Sequence, residues 1–215
     1  MNEKSKFIAL KNYIPVGLPT LDDFIIKEKE INFSDEQNVL VENIWISVDP
    51  YMRARMTEKK NYKDPFEIGE PMEGAAIGIV KKTNSSKFNV GDHVLNNCGW
   101  RDKFTDSDNN LKKISNSNFP LQSFLGPLGM NGHTAYIGLY KIGKLQENQT
   151  VLVSSAGGSV GSLVCQIAKL NGCKVVASTG SDEKVGWLKN ELKVDHAFNY
   201  KKTENLVLKL KELMP

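Results

Sequence analysis

The sequence predicts an α/β protein in two parts. Residues 1–125 form a β-rich, barrel-like domain, and residues 126–215 form the first half of a doubly wound parallel sheet. Three observations predict this. Near Gly126 the texture changes from turn-rich, strand-like segments to strands alternating with helices, the order of a parallel sheet. A short β-branched strand at Thr150–Ser154 runs directly into Gly157-Gly158-Ser159-Val160-Gly161 and then a helix. The composition, 40% hydrophobic and 25% charged, is that of a globular chain, not a disordered or fibrous one.

The elements follow in order. Phe24-Ile25-Ile26 and the partly alternating run Val39 to Val48 read as strands. Gly74 to Val80 reads as another, its small residues suited to a close backbone approach or a barrel bend. Val90-Gly91-Asp92-His93-Val94 sets a Gly-Asp turn before a strand. Asn and Ser crowd 83–89 and 106–118, which read as loops. After Gly126, Thr134 to Lys141 reads as a short helix. A helix from Ser159 to Asn171 places Val160, Leu163, Val164, Ile167, Ala168 and Leu170 at helical spacing, with Gly172 at its end. Lys174 to Ser178 is the next strand. Ser181-Asp182-Glu183 opens a helix with a cap residue and first-turn acids. Ala197 to Tyr200 is a third strand, and Glu204 to Leu213 a third helix.

Several functions are disfavoured. The formal net charge is +3, with no basic run interleaved with aromatics, so no nucleic-acid partner is expected. The least charged stretch, Val151 to Leu170, carries serines, glycines and Gln166, so no membrane span is expected. The opening Met1-Asn2-Glu3-Lys4 has no apolar core of a signal peptide. Cys98, Cys165 and Cys173 are odd in number and scattered, which points to a reducing, cytoplasmic compartment. No C-x-x-C occurs, and His93, His133 and His196 lie far apart, so no metal site is expected.

The glycine turn carries the chemistry. Between a strand and a helix it lets backbone N–H groups and the helix N-terminus approach a pyrophosphate. Gly158-Ser159-Val160-Gly161 keeps the later glycines of the dinucleotide fingerprint, and Ala156 stands where its first glycine would be. A tight βα turn without a ligand is the alternative. About 20 residues on, a ribose-binding acid would be expected. That window holds Ser178, Thr179, Gly180 and Ser181 instead, with Lys184 just beyond. A small neutral turn with a nearby cation suits the extra 2′-phosphate of NADP(H).

Val48-Asp49-Pro50-Tyr51-Met52-Arg53, Leu128-Gly129-Met130, Gly132, Thr134-Ala135-Tyr136, the stretch Thr150 to Lys169 and Gly180-Ser181-Asp182-Glu183-Lys184-Val185 together resemble the zinc-independent medium-chain dehydrogenase/reductases. The similar branch holds leukotriene B4 12-hydroxydehydrogenase, prostaglandin reductase, 2-alkenal reductase and curcumin-reductase-like enzymes. The resemblance runs from about Pro15 to Tyr200. It implies a GroES-like first domain and a Rossmann second domain. It also implies an NADPH-dependent reduction of the carbon–carbon double bond of an enal or enone. A homodimer is expected separately, because a half-built sheet leaves an uncovered edge that favours association. Pro71-Met72-Glu73-Gly74 lacks the histidine ligand of the zinc relatives. By resemblance, Gly158, Ser159, Val160 and Gly161 hold the pyrophosphate and Lys184 the 2′-phosphate. Tyr200 lies by the adenosine, Met130 and Thr134 line the nicotinamide pocket, and Tyr51 is the catalytic donor facing the substrate. Asn131, His133, Cys165, Gly157 and Ser159 depart from the family pattern.

The stretch from Val151 to Pro215 has room for three βα units of roughly 25–30 residues each, one half of a full dinucleotide fold. The expectation is therefore a shortened chain that binds NADPH at the adenosine end and turns over little enone by itself. A quinone oxidoreductase of the same superfamily, or a non-catalytic nucleotide-binding fragment, are the alternative readings.

Overall fold

The computed structural model describes residues 3–115 and 118–214. The chain divides into two compact units, Met1–Leu125 and Gly126–Pro215.

In the first unit, β1 (Lys4–Leu10) pairs antiparallel with β2 (Phe24–Glu30). Cross-strand charges support the pairing: Lys4 faces Glu30 and Lys6 faces Glu28. A five-stranded antiparallel sheet holds β3 (Val39–Ile46), β4 (Ala76–Thr83), β5 (His93–Asn96), β6 (Lys103–Asp106) and β7 (Lys112–Lys113), in the order β6-β3-β4-β5-β7. Isolated bridges at Phe7–Arg101 and Ala9–Pro71 join β1 to the segments beside this sheet. The short helix α1 (Tyr51–Arg55) follows β3. The expected strands from Phe24, Val39 and the Gly74 region are all present. Gly78 explains the small residues of the last: a Cβ there would lie 2.2 Å from Cγ1 of Val41 on β3. The turn expected before β5 is built on Gly91, at φ +93°. Two apolar clusters fill the unit. One gathers Val39, Val41, Val80, Phe88, Val94, Phe104 and Leu111. The other gathers Leu10, Ile14, Met52, Met56, Phe66 and Met72. Residues 116–117 of the second expected loop lie outside the described residues.

In the second unit, α2 (Met130–Tyr136) continues into a wider π-type turn, Ile137–Ile142. The helix expected at Thr134 thus starts four residues earlier. Then come β8 (Thr150–Val153), α3 (Ser159–Leu170), β9 (Lys174–Thr179), α4 (Asp182–Asn190), β10 (His196–Asn199) and α5 (Leu206–Leu213). The sheet is parallel, in the order β10-β9-β8, which is the 3-2-1 half of a dinucleotide fold. β9 alternates between two buried faces. Val175 and Ala177 join Val153, Cys165, Ala168 and Leu188 on one side, while Val176 joins Phe198 and Leu213 on the other. Cys165 is completely buried against the strands. Leu170, expected on the apolar stripe of α3, is instead 86% exposed, because it sits at the last turn beyond the sheet contact. Asn171 and Gly172, at φ +70°, end that helix in the left-handed turn glycine favours.

Among the described residues, no helix is long and apolar enough to cross a membrane.

Candidate nucleotide-binding site

The site grows from the C-terminal ends of the parallel strands. After β8 the chain turns through Ser154 to Gly157, and Gly158 is the N-cap of α3. The fingerprint's first glycine position is Ala156, fully buried with its N–H donating to Ser178 O at 3.0 Å. The strained backbone falls one residue earlier, on Ser155 at φ +48°. The turn therefore does not need a glycine at 156. It needs one at 161, where an added Cβ would lie 2.4 Å from Ser155 O and 2.8 Å from the Ala156 Cα. That contact presses the first turn of α3 against the strand end. Gly158 has no side chain to cap the helix, so the first-turn amides around Ser159, Val160 and Gly161 keep donors for an anion. Ser159 is exposed and Val160 half-buried.

Cationic and aromatic side chains gather beside this turn. Ser181 caps α4, its Oγ accepting from Lys184 N at 3.3 Å. Lys184 then lies along Gly157: a Cβ at Gly157 would meet Lys184 Cδ at 2.9 Å and Thr179 Oγ1 at 3.2 Å. Asn199 of β10 pairs with Thr179 of β9, which brings the following turn, Tyr200–Lys202, level with Gly180. A Cβ at Gly180 would meet Lys201 Cε at 3.2 Å and Tyr200 Oη at 3.3 Å. Tyr200 thus opens the turn just after the third strand. Asp182, the acid nearest the end of β9, accepts from Lys202 Nζ and from Asn199 Nδ2, the latter at 2.8 Å. These two bonds hold its carboxyl below the ordinary carboxylate range.

The structure brings Gly158, Ser159, Val160, Gly161, Lys184 and Tyr200 to one end of one sheet. Met130 and Thr134 stand one turn apart on α2, which packs against α3. Both are exposed, and Thr134 Oγ1 donates to Met130 O at 2.7 Å. A cradle whose glycines a Cβ would fill, with lysines beside it and the acid nearest the end of β9 already engaged, fits a dinucleotide carrying a 2′-phosphate. Lys201 belongs to this group and was not singled out from the sequence. The available signal was Tyr200-Lys201-Lys202 directly after the third strand.

Tyr51 lies in the other unit, as the first residue of α1. Its ring is half-buried, with Lys63 Nζ 5.8 Å from the centroid. Burial first, then the Asp49 charge, raises the phenol above its ordinary value, which already keeps it protonated at neutral pH. Met72 is fully buried, and Glu73 accepts from Arg55 Nη2 at 3.0 Å. His93 opens β5, His133 lies on α2 and His196 opens β10. Among the described residues, no three of His, Cys, Asp and Glu gather where they could hold a metal.

Comparison with known proteins agrees with this geometry. Residues 6–114 match the family described as N-terminal domain of oxidoreductase, and residues 159–215 match the family described as zinc-binding dehydrogenase. Prostaglandin reductase 1 of Bos taurus is 41% identical over 98% of this chain and 62% of its own length. The NADP+-dependent 2-alkenal reductase of Nicotiana tabacum is 39% identical over 98% of this chain and 63% of its own length. Among solved structures, CurA of Vibrio vulnificus superposes with a TM-score of 0.88 at 36% identity, covering 97% of this chain and 61% of that one. CurA has also been solved in complex with NADPH. This chain thus spans about three fifths of the length of these relatives. The strand order, the glycine turn and these matches together place the chain in the zinc-independent medium-chain dehydrogenase/reductases, in the branch of the prostaglandin, 2-alkenal and curcumin reductases.

Proposed function

We propose that this chain carries the NADPH cradle and a substrate-facing donor of a reductase that saturates the carbon–carbon double bond of α,β-unsaturated aldehydes or ketones. One observation carries the cofactor part. The strand ends are floored by Gly157 and Gly180 and flanked by Lys184, with the nearest acid, Asp182, already engaged by Lys202 and Asn199. Such a surface accepts a 2′-phosphate and gives a ribose 2′-hydroxyl no free carboxylate. The first-turn amides of Ser159, Val160 and Gly161 hold the pyrophosphate, and Tyr200 lies along the adenosine. Met130 and Thr134 border the nicotinamide.

NADPH, when bound, supplies a hydride to the β-carbon of the substrate. Tyr51 donates its phenolic hydrogen bond to the carbonyl oxygen, where negative charge develops, and a proton then reaches the α-carbon. The phenol, held above its ordinary value, is protonated at working pH and so can donate. The names of the relatives, which reduce alkenals and prostaglandins, support this substrate class. We also propose a homodimer, which sedimentation would test, and a reducing compartment, in keeping with three free cysteines.

The test is cofactor oxidation by a simple 2-alkenal, with a quinone in parallel, together with direct NADPH and NADH binding. Lys184→Ala is expected to weaken NADPH about 10-fold, the lower end for a lost contact to a charged group because Lys184 is exposed. NADH binding should hardly change. Equal losses for both cofactors would reject the role of Lys184. Turnover of quinones without enones would move the chain to the quinone oxidoreductase reading.

A further inference from the structure

We propose that Lys201 is a second cation for the 2′-phosphate, and that Lys202 and Asn199 keep Asp182 from opposing it. The inference deepens the NADPH reading and rests on it. Lys184 comes to the strand ends from α4, whereas Lys201 comes from the turn after β10. Each has its aliphatic part against a glycine at the end of a neighbouring strand, Gly157 for Lys184 and Gly180 for Lys201. These are positions where any larger residue would displace the lysine. Among the described residues, neither ammonium has a carboxylate within salt-bridge reach, while the adjacent Lys202 is paired with Asp182. Two unpaired cations at the ends of the adjacent strands β8 and β9, on the side where α3 begins, make a site for a second anionic group.

Asn199 organises the arrangement. Its Oδ1 accepts from Lys201 N at 3.1 Å, which fixes the turn carrying Lys201. Its Nδ2 donates to Asp182 Oδ1 at 2.8 Å, while Lys202 takes the other carboxylate oxygen. Thr203 Oγ1 donates to Asn199 O at 2.9 Å and closes the turn. The backbone of Lys201 is therefore placed before any ligand arrives, which lowers the ordering cost of the contact. The acid nearest the end of β9, Asp182, has both oxygens occupied.

The experiment is calorimetry of the full chain with adenosine 2′,5′-bisphosphate and with 5′-AMP, which differ by the 2′-phosphate. Neither probe needs turnover. Lys201→Ala is expected to weaken the bisphosphate about 10-fold and to leave 5′-AMP within about twofold. Lys201→Arg should restore most of the affinity, and added salt should shrink the difference. Lys202→Met should free Asp182 and weaken the bisphosphate, and Asp182→Asn on that background should recover it. Unchanged bisphosphate affinity in Lys201→Ala, or equal weakening of both probes, would overturn the role of Lys201. No preference of the wild-type chain for the bisphosphate over 5′-AMP would overturn the NADPH reading and this inference with it. A preference undiminished in Lys201→Ala would overturn the inference alone.

Discussion

Gly161→Ala isolates the close approach on which the nucleotide cradle is built. In an exposed helix position, alanine in place of glycine stabilises by about 1 kcal/mol, because glycine gives up more backbone freedom on folding. At Gly161 the new methyl would meet Ser155 O at 2.4 Å, Ala156 Cα at 2.8 Å and Ser155 C at 3.0 Å. All three are backbone atoms, so no side chain can swing aside. Ordinary carbon contacts lie at about 3.5–4.0 Å, so α3 and the turn must part by roughly 1 Å. Moving Ala156 strains its bond to Ser178 O and opens a completely buried position. Overpacking of this kind costs about 1–3 kcal/mol, and a weakened hydrogen bond adds about 1 kcal/mol. After the propensity gain, the expected net loss is about 1–3 kcal/mol. Gly186→Ala is the internal control, since nothing lies within 4 Å of a Cβ there and Gly186 also sits inside a helix, α4. It should stabilise by about 0.5–1 kcal/mol. The assay is urea denaturation, comparing midpoints at unchanged slope. A Gly161→Ala protein as stable as wild type would refute the close approach. Destabilisation by both substitutions would refute the geometric distinction between them.

Two further outcomes concern one carboxylate and the three thiols. Asp195 accepts from Val175 N at 2.6 Å and from Lys169 Nζ at 3.0 Å. Burial pushes its carboxyl up, but these bonds outweigh burial and leave it below its ordinary value of 3.8. A lowered folded-state value means that the stabilisation is present above about pH 4 and is lost as pH falls through the folded value. Asp195→Ala should cost about 1–3 kcal/mol at neutral pH, by orphaning the buried Val175 N–H, and should flatten the acid limb of a stability–pH profile. An unchanged acid limb would contradict the assignment. The thiols give the other outcome. Desolvation pushes the half-buried Cys98 and the fully buried Cys165 up to about 11, and Cys173 is buried. At pH 8 the native protein should therefore react slowly with a colorimetric disulfide reagent, while three thiols should titrate at once in guanidinium. Fast labelling of the native chain would contradict their burial.

The sequence made the second unit more legible than the first. Each strand from β8 to β10 is a short β-branched or aromatic run followed by a helix with its own cap, so local chemistry and tertiary structure agree. The glycine turn was readable for the same reason, yet the position of its strain was not. Ser155 takes the positive φ because Ala156 is committed to the core, a fact of packing rather than of pattern. Lys201 shows a second limit. Tyr200 and Lys201 lie 20 residues from Gly180, and only the pairing of Asn199 with Thr179 brings them beside it. In the first unit β1 had a readable signal that is easy to pass over. Ser5, Phe7 and Ala9 are buried, while Lys4 and Lys6 point outward, a period of two hidden by its small and polar members. The helix at Tyr51 has only five residues and an N-cap proline, too short for periodicity to announce it.

The segment Pro71 to Gly74 shows how a missing residue becomes a structural statement. From the sequence, it lacks only the histidine of the zinc relatives. In the structure, Met72 is packed into the cluster with Met52, Met56 and Phe66, and Glu73 is bound to Arg55. The Arg55 side chain is nine-tenths buried, its guanidinium 4.1 Å from the Phe66 ring centroid and its Nε donating to Asp64 O at 2.8 Å. A fixed cation therefore stands one helical turn from Tyr51. Its field favours the phenolate, against burial and the Asp49 charge, which favour the phenol. The net effect still keeps the hydroxyl protonated. In the proposed reaction that balance matters more than either term alone. Burial and Asp49 disfavour the phenolate and Arg55 partly offsets them, so in the proposed reaction Tyr51 would meet the substrate oxygen as a protonated hydrogen-bond donor.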